Sequence, residues 1–127
     1  MSPAVRVMTV DDQPVFRAIA RELVGATGGF DPVLEAASGP EALEAAERLH
    51  PQLVLVDVQM PGMNGIETSR RLVERDASTV VVLVTSGEPS DVPRDARTCG
   101  AVALLAKQNL NPSVLRGIWT IHGPVAH

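Results

Sequence analysis

A chain of 127 residues has room for one core and not two, and 45% apolar against 20% charged residues is the balance of a soluble globular domain. Only 2% are aromatic, so Val, Leu, Ile and Ala must fill the interior, which favours buried parallel strands covered by helices. A net charge of −4 with no run of Lys or Arg argues against direct nucleic-acid binding by this chain alone. No apolar run nears the roughly 20 residues needed to span a bilayer, and the lone Cys99 can form no internal disulfide. The lone cysteine is compatible with a reducing compartment without establishing one, and the default expectation is a cytoplasmic protein with no membrane partner.

In chain order, Val5–Val10 is a short buried strand, and Asp11 and Asp12 follow it. Pro14 then suits a first helical turn, and Phe16, Ile19, Ala20 and Leu23 share one helical face. The pattern predicts a second strand at Val33–Ala37. Ser38-Gly39-Pro40-Glu41 reads as a capping box before a helix whose apolar face is Ala42, Leu43, Ala46 and Leu49. Leu53–Val58 is a third strand with Asp57 near its end. Pro61-Gly62 marks a turn, and Asn64-Gly65-Ile66-Glu67 repeats the capping logic, weakened by its glycine. Arg70, Arg71 and Arg75 are expected on a solvated face.

Val80–Val84 is the fourth strand, with Thr85 and Ser86 after it. Cys99 is expected as a small core residue ending a helix before Gly100. Val102–Leu105 is the fifth strand, and Lys107 follows. Asn111 and Pro112 open a last helix packed through Leu115, Ile118 and Trp119. His50, His122 and His127 lack metal-ligand spacing. One domain over residues 1–122 is expected, then a short tail at 123–127, with no output domain.

Five strand-then-helix units without a hairpin signal imply an α/β fold: a five-stranded parallel sheet, doubly wound in the flavodoxin-like manner, with helices on both faces. Such sheets carry their chemistry at the carboxyl ends of the strands, near the point where the strand order reverses. Asp11, Asp12, Asp57, Thr85, Ser86 and Lys107 all fall at those ends. Gathered carboxylates repel one another, and Mg²⁺, which prefers oxygen ligands, would offset that repulsion. Asp57 can then accept a phosphoryl group as an acyl phosphate, with Lys107 as a mobile counter-charge and the Thr85 hydroxyl within reach. Blander readings stand beside this. Asp11-Asp12 would also serve as a helix N-cap pair, Lys107 as a solvated loop lysine, and Thr85 as a strand end.

With these pieces in order, the chain resembles the response-regulator receiver domains of two-component systems over about residues 4–120. The resemblance rests on Asp11-Asp12, on Asp57-Val58-Gln59-Met60-Pro61-Gly62-Met63-Asn64-Gly65, on Thr85, and on Gly100-Ala101 leading to Lys107. Asp11-Asp12-Gln13-Pro14 and Ala37–Leu49 are most similar to receivers that precede a LuxR-type helix-turn-helix. The resemblance implies that Asp57 is the phosphoacceptor. It makes Asp12 and Asp57 direct Mg²⁺ ligands, Asp11 a ligand through water, and Gln59 a ligand through its backbone carbonyl. Lys107, Thr85 and the Ser86 N–H would bind phosphoryl oxygens. The implied donor is a phosphohistidine on a sensor histidine kinase or phosphotransfer protein, and a homodimer formed on phosphorylation is a further implied partner.

Three positions depart from the commonest pattern. Leu104 stands where an aromatic switch residue is frequent, Gln108 follows Lys107 in place of Pro, and Ser86 replaces a common Ala. Two other functions compete with the receiver reading. A phosphatase or phosphotransferase of the haloacid-dehalogenase type needs a second acid two residues after the nucleophile, where this chain has Gln59. A pseudo-receiver, binding without phosphorylation, would have lost some of the acids, the Thr or the Lys, all of which are present. The expectation is a switch, not an enzyme.

Overall fold

The computed structural model describes residues 3–124. Five strands, β1 (Val5–Val10), β2 (Phe30–Ala36), β3 (Leu53–Asp57), β4 (Val80–Thr85) and β5 (Ala103–Ala106), form one sheet in the order β2-β1-β3-β4-β5. Every neighbouring pair is parallel. Four helices connect or follow them: α1 (Pro14–Gly25), α2 (Gly39–Leu49), α3 (Gly65–Arg75) and α4 (Pro112–His122). Each residue of β3 and β4 is buried, as two-sided coverage of central strands rich in Val and Leu requires.

The sheet divides the interior into two apolar layers. Phe16, Ala20 and Val24 of α1 and Leu115 of α4 pack with Val7, Leu55 and Val82 on one face. Ala42, Ala45 and Ala46 of α2 and Ile66 and Leu72 of α3 pack with Met8, Val54 and Leu83 on the other. These are the two helical layers of a doubly wound fold. The expected helix faces need small corrections. Ile19 is 53% exposed and Leu49 46% exposed, because the faces turn towards Val24 and Ala45 instead. Strand β2 begins three residues earlier than expected. Pro32 is tolerated there because β2 is an edge strand, and the register slips beside it, between Val7 and Met8.

Three helix starts carry the expected side-chain cap, although among the described residues no bond from the Ser38 N–H to the Glu41 side chain completes the expected capping box. Ser38 Oγ accepts the Glu41 N–H, Asn64 Oδ1 the Glu67 N–H, and Asn111 Oδ1 the Val114 N–H. One expected unit does not form. Between β4 and β5 the chain makes two short 3-10 turns, Pro89–Asp91 and Arg94–Arg97, and no α-helix. A proline forces the residue before it out of the helical region, and Glu88 and Val92 are extended, with ψ of 133° and 141°. Cys99 is buried as expected, yet it follows a 3-10 turn and not a helix. The arginine face is also only partly solvated. Arg70 and Arg71 pair with Glu67, whereas Arg75 reaches α2, donating to the Ala46 carbonyl and lying 3.5 Å from Glu47. Trp119 and Ile118 pack beside Leu115 under α4 as expected. Of the tail, Gly123 and Pro124 are described, while 125–127, including His127, lie outside the described residues, as do Met1 and Ser2.

Candidate functional site

Strands β1 and β3 are parallel neighbours with Val10 level with Val56, so the next residue along each emerges at the same edge, one just past β1 and the other ending β3. Those residues are Asp11 and Asp57. The strand order also reverses there: β2 lies on one side of β1, and β3 and its successors on the other. Asp11, Asp12 and Asp57 each present a carboxylate oxygen within 4.8 Å of the others. Asp11 is 0% and Asp57 5% exposed, whereas Asp12 faces solvent.

Asp11 is held from three directions. Its N–H donates to the Ala36 carbonyl at 3.0 Å, its own carbonyl accepts from Arg17 Nη1 at 2.6 Å, and its Oδ1 accepts the Gln13 N–H at 2.8 Å. It therefore closes a turn ahead of α1. The N-cap of that helix is Gln13, which makes no side-chain cap, so the bland reading of an acidic cap pair fails. Asp57 ends β3 level with Val84 of β4, and Gly65 lies directly against its backbone. A Cβ on Gly65 would stand 2.0 Å from the Asp57 carbonyl oxygen, and the Gly65 N–H donates to Val58 at 2.9 Å. Sequence reasoning took this glycine as a blemish in a helix start. Its site role was hidden, because the close approach joins a strand end to a helix eight residues on.

Lys107, the first residue after β5, crosses to the acids. Its Nζ lies 2.6 Å from Asp11 Oδ2 and 3.7 Å from Asp57 Oδ2, ionic contacts in which neither Nζ nor Asp11 Oδ2 makes a well-directed hydrogen bond. It is thus no solvated loop lysine. The ammonium also rests 4.4 Å from the centre of the Phe16 ring, a contact that sequence reasoning missed by treating Phe16 as core alone. Thr85 ends β4, is buried, and its Oγ1 accepts the Gly87 N–H at 3.2 Å. The Gln59 N–H donates weakly to Asp57 Oδ1 at 3.4 Å, while the Gln59 and Ser86 side chains are exposed. Leu104 is half-buried on β5, level with Leu83, against the α2 and α3 layer.

Burial first, and the nearby Asp11 charge second, push the Asp57 carboxyl up to about 6, against the pull of Lys107 and the Gln59 N–H. Three carboxylates face one ammonium here, leaving up to two uncompensated negative charges. That excess, together with the undirected buried oxygen of Asp11, fits a divalent cation with oxygen preference. At the opposite edge of the sheet a cleft of about 480 Å³ is lined by His50, Trp119 and His122 among others, remote from this chemistry.

Residues 7–118 match the response regulator receiver domain. The chain belongs to that family. This makes it a module of two-component signal transduction. Among its relatives, a protein-glutamate methylesterase/protein-glutamine glutaminase of Myxococcus xanthus is 38% identical over 109 residues, 81% of this chain and 30% of that protein. The nitrate/nitrite response regulator NarL of Escherichia coli K12 is 38% identical over 87 residues, 68% of this chain and 40% of the relative. The matched part of this receiver thus spans less than half the length of either. Among solved structures, a LuxR-family response regulator from Aurantimonas superposes with a TM-score of 0.81 at 30% identity, covering 94% of this chain and 85% of that one. The receiver domain of a putative NarL regulator from Mycobacterium tuberculosis gives 0.84 at 26% identity, covering 95% and 98%. Among the described residues no helix is long and apolar enough to cross a membrane.

Proposed function

We propose that this receiver is a phosphoacceptor switch acting in the cytoplasm: Asp57 takes a phosphoryl group from a phosphohistidine of a sensor kinase or phosphotransfer protein, with Mg²⁺ as cofactor. The observation that carries the reading is Asp57 itself, a buried carboxylate at the end of a central strand, flanked by Asp11, Asp12 and Lys107. An Asp57 carboxylate oxygen bonds to phosphorus as the phosphorus–nitrogen bond breaks, and the donor imidazole keeps that electron pair. Asp12 and Asp57, with the Gln59 carbonyl, would hold Mg²⁺ directly, and Asp11 through water. The ion supplies charge neutralisation for the transferring group. Lys107 gives a positive charge to one phosphoryl oxygen, and the Thr85 hydroxyl, on exchanging its Gly87 contact, donates to another. The Ser86 N–H would assist.

No carboxylate stands two residues after Asp57 to activate water, so the acyl phosphate is held as a signal and not turned over as in a phosphatase. Leu104 offers no aromatic ring to turn inward, so the signal passes through Thr85, Lys107 and the β4–β5 connection to a partner surface, a second receiver included. Incubation with acetyl phosphate and Mg²⁺ tests the reading by intact mass. One phosphoryl group on the wild type and none on Asp57→Asn is expected; an equal adduct on both contradicts the assignment, and none on either supports a binding module that works without phosphorylation.

A further inference from the structure

Of the two carboxylate oxygens of Asp11, one is hydrogen-bonded and the other makes only an ionic contact. Oδ1 accepts the Gln13 N–H, and Oδ2 is 2.6 Å from the Lys107 ammonium. The ammonium stands 3.7 Å from Asp57, so it favours the acid that accepts no phosphoryl group. Its third neighbour is the Phe16 ring, 4.4 Å from Nζ to the centroid. Phe16 stands on α1, the helix that leaves the sheet just after Asp11, so ring and carboxylate come from one connection. All three groups are nearly dry: the Lys107 side chain is 12%, Phe16 7% and Asp11 0% exposed. A ring face attracts a cation most strongly where water is excluded.

We propose that Phe16 is a positioning residue for Lys107: its ring holds the ammonium on Asp11, Lys107 and a divalent cation compete for that carboxylate, and cation binding releases the ammonium towards Asp57. The inference rests on the acidic cluster being the Mg²⁺ site of the proposed function. It gives Lys107 two stations, one guarding the acids before the cation arrives and one serving the phosphoryl group afterwards. It also assigns Phe16 a task that packing alone does not require, since a Leu would fill much of the same space.

Mg²⁺ affinity measured by calorimetry on the full chain tests this. Replacing Phe16 with 3,4,5-trifluorophenylalanine keeps the ring's shape and weakens its negative face, while Phe16→Leu removes the face. Mg²⁺ should bind more tightly in both, by about three- to tenfold for Phe16→Leu and less for the fluorinated ring. Both increments should vanish in a Lys107→Met background, because the ring then has no cation to hold. A metal-free readout accompanies the titration. Lys107 is the chain's only lysine, so lysine labelling gives one set of ε-methylene signals. Ring current should shift those protons upfield in the wild type, Mg²⁺ should move them, and the shift should be absent in Phe16→Leu. A merely structural Phe16 predicts unchanged affinity with the fluorinated ring, or an effect that persists without Lys107; either result overturns the proposal, as does Mg²⁺ binding that leaves the Lys107 signals in place. Failure of Asp57 to take a phosphoryl group would strike the proposed function and leave this cycle readable, whereas phosphorylation without ring–metal coupling would strike this inference alone.

Discussion

The β3–α3 turn and the β4–β5 connection flank the same carboxylate edge, yet they are built in opposite ways. The first is tightly determined: Gly65 is pressed against the Asp57 carbonyl, Asn64 caps α3, and Glu67 pairs with Arg70 and Arg71. The second holds no α-helix, and between Ser86 and Cys99 it buries only Ala96 and Cys99. Asp57 stands on the rigid side and Thr85 leads into the loose one. A phosphoacceptor needs fixed geometry before the reaction, whereas a region that carries a signal needs alternatives of similar energy. On the proposed function, one sheet edge would hold both properties by giving them to different connections.

The sharpest way to break that contrast is a pair of glycines. Gly65→Ala should destabilise the receiver by about 3 kcal/mol or more in urea unfolding, since its Cβ would meet a backbone oxygen that cannot retreat without moving Asp57. Gly87→Ala on the loose side should stay within about 0.5 kcal/mol, because its nearest neighbour, Thr85 Oγ1, would be 3.9 Å away. Equal costs would erase the distinction.

A second effect concerns charge on the rigid side. The Asp57 carboxyl, pushed up to about 6 from an ordinary 3.8, binds its proton more readily folded than unfolded. Stability therefore falls as pH rises through the window between those values, and the charged form is a destabilising group above about 6. Asp57→Asn should be more stable than wild type at pH 7.5 by up to about 3 kcal/mol, with the difference fading below pH 4. Saturating Mg²⁺ should shrink it. Thermal unfolding across pH checks this, and a gap that widens on acidification has the wrong sign.

Smaller still is the local backbone contrast. Asn64→Ala should cost about 1 kcal/mol through the lost cap on α3. Pro93→Ala should cost about 0.5 kcal/mol, mainly by freeing the unfolded chain. Amide exchange should find residues 86–99 opening well before α3, and equal protection would contradict the assignment of looseness.

Most of the sheet and its charged edge were legible because they depend on patterns that neighbours in sequence carry. Runs of Val and Leu mark two-sided burial, and Asn64 and Asn111 announce the helices they cap. The carboxylates fall at strand ends by counting alone. The helix missing between β4 and β5 was written in Pro89 and Pro93, but the regularity of the other βα units outweighed it in the reading. Ile19 and Leu49 were misplaced because the buried faces are rotated towards Val24 and Ala45, and apolar spacing alone does not fix that rotation. Lys107's preference for Asp11 over Asp57, and the Phe16 ring under it, turn on separations of about an ångström between elements far apart in sequence. Nothing local encodes such differences.

The central claim is that Asp57, and no other acid at this edge, carries the phosphoryl group. After reaction with acetyl phosphate and Mg²⁺, borohydride reduction converts an aspartyl phosphate to homoserine, and peptide mapping locates it. Homoserine at position 57, absent without Mg²⁺ and absent in Asp57→Asn, is the predicted result. Homoserine at Asp11 or Asp12, or its formation independent of the cation, would contradict the account.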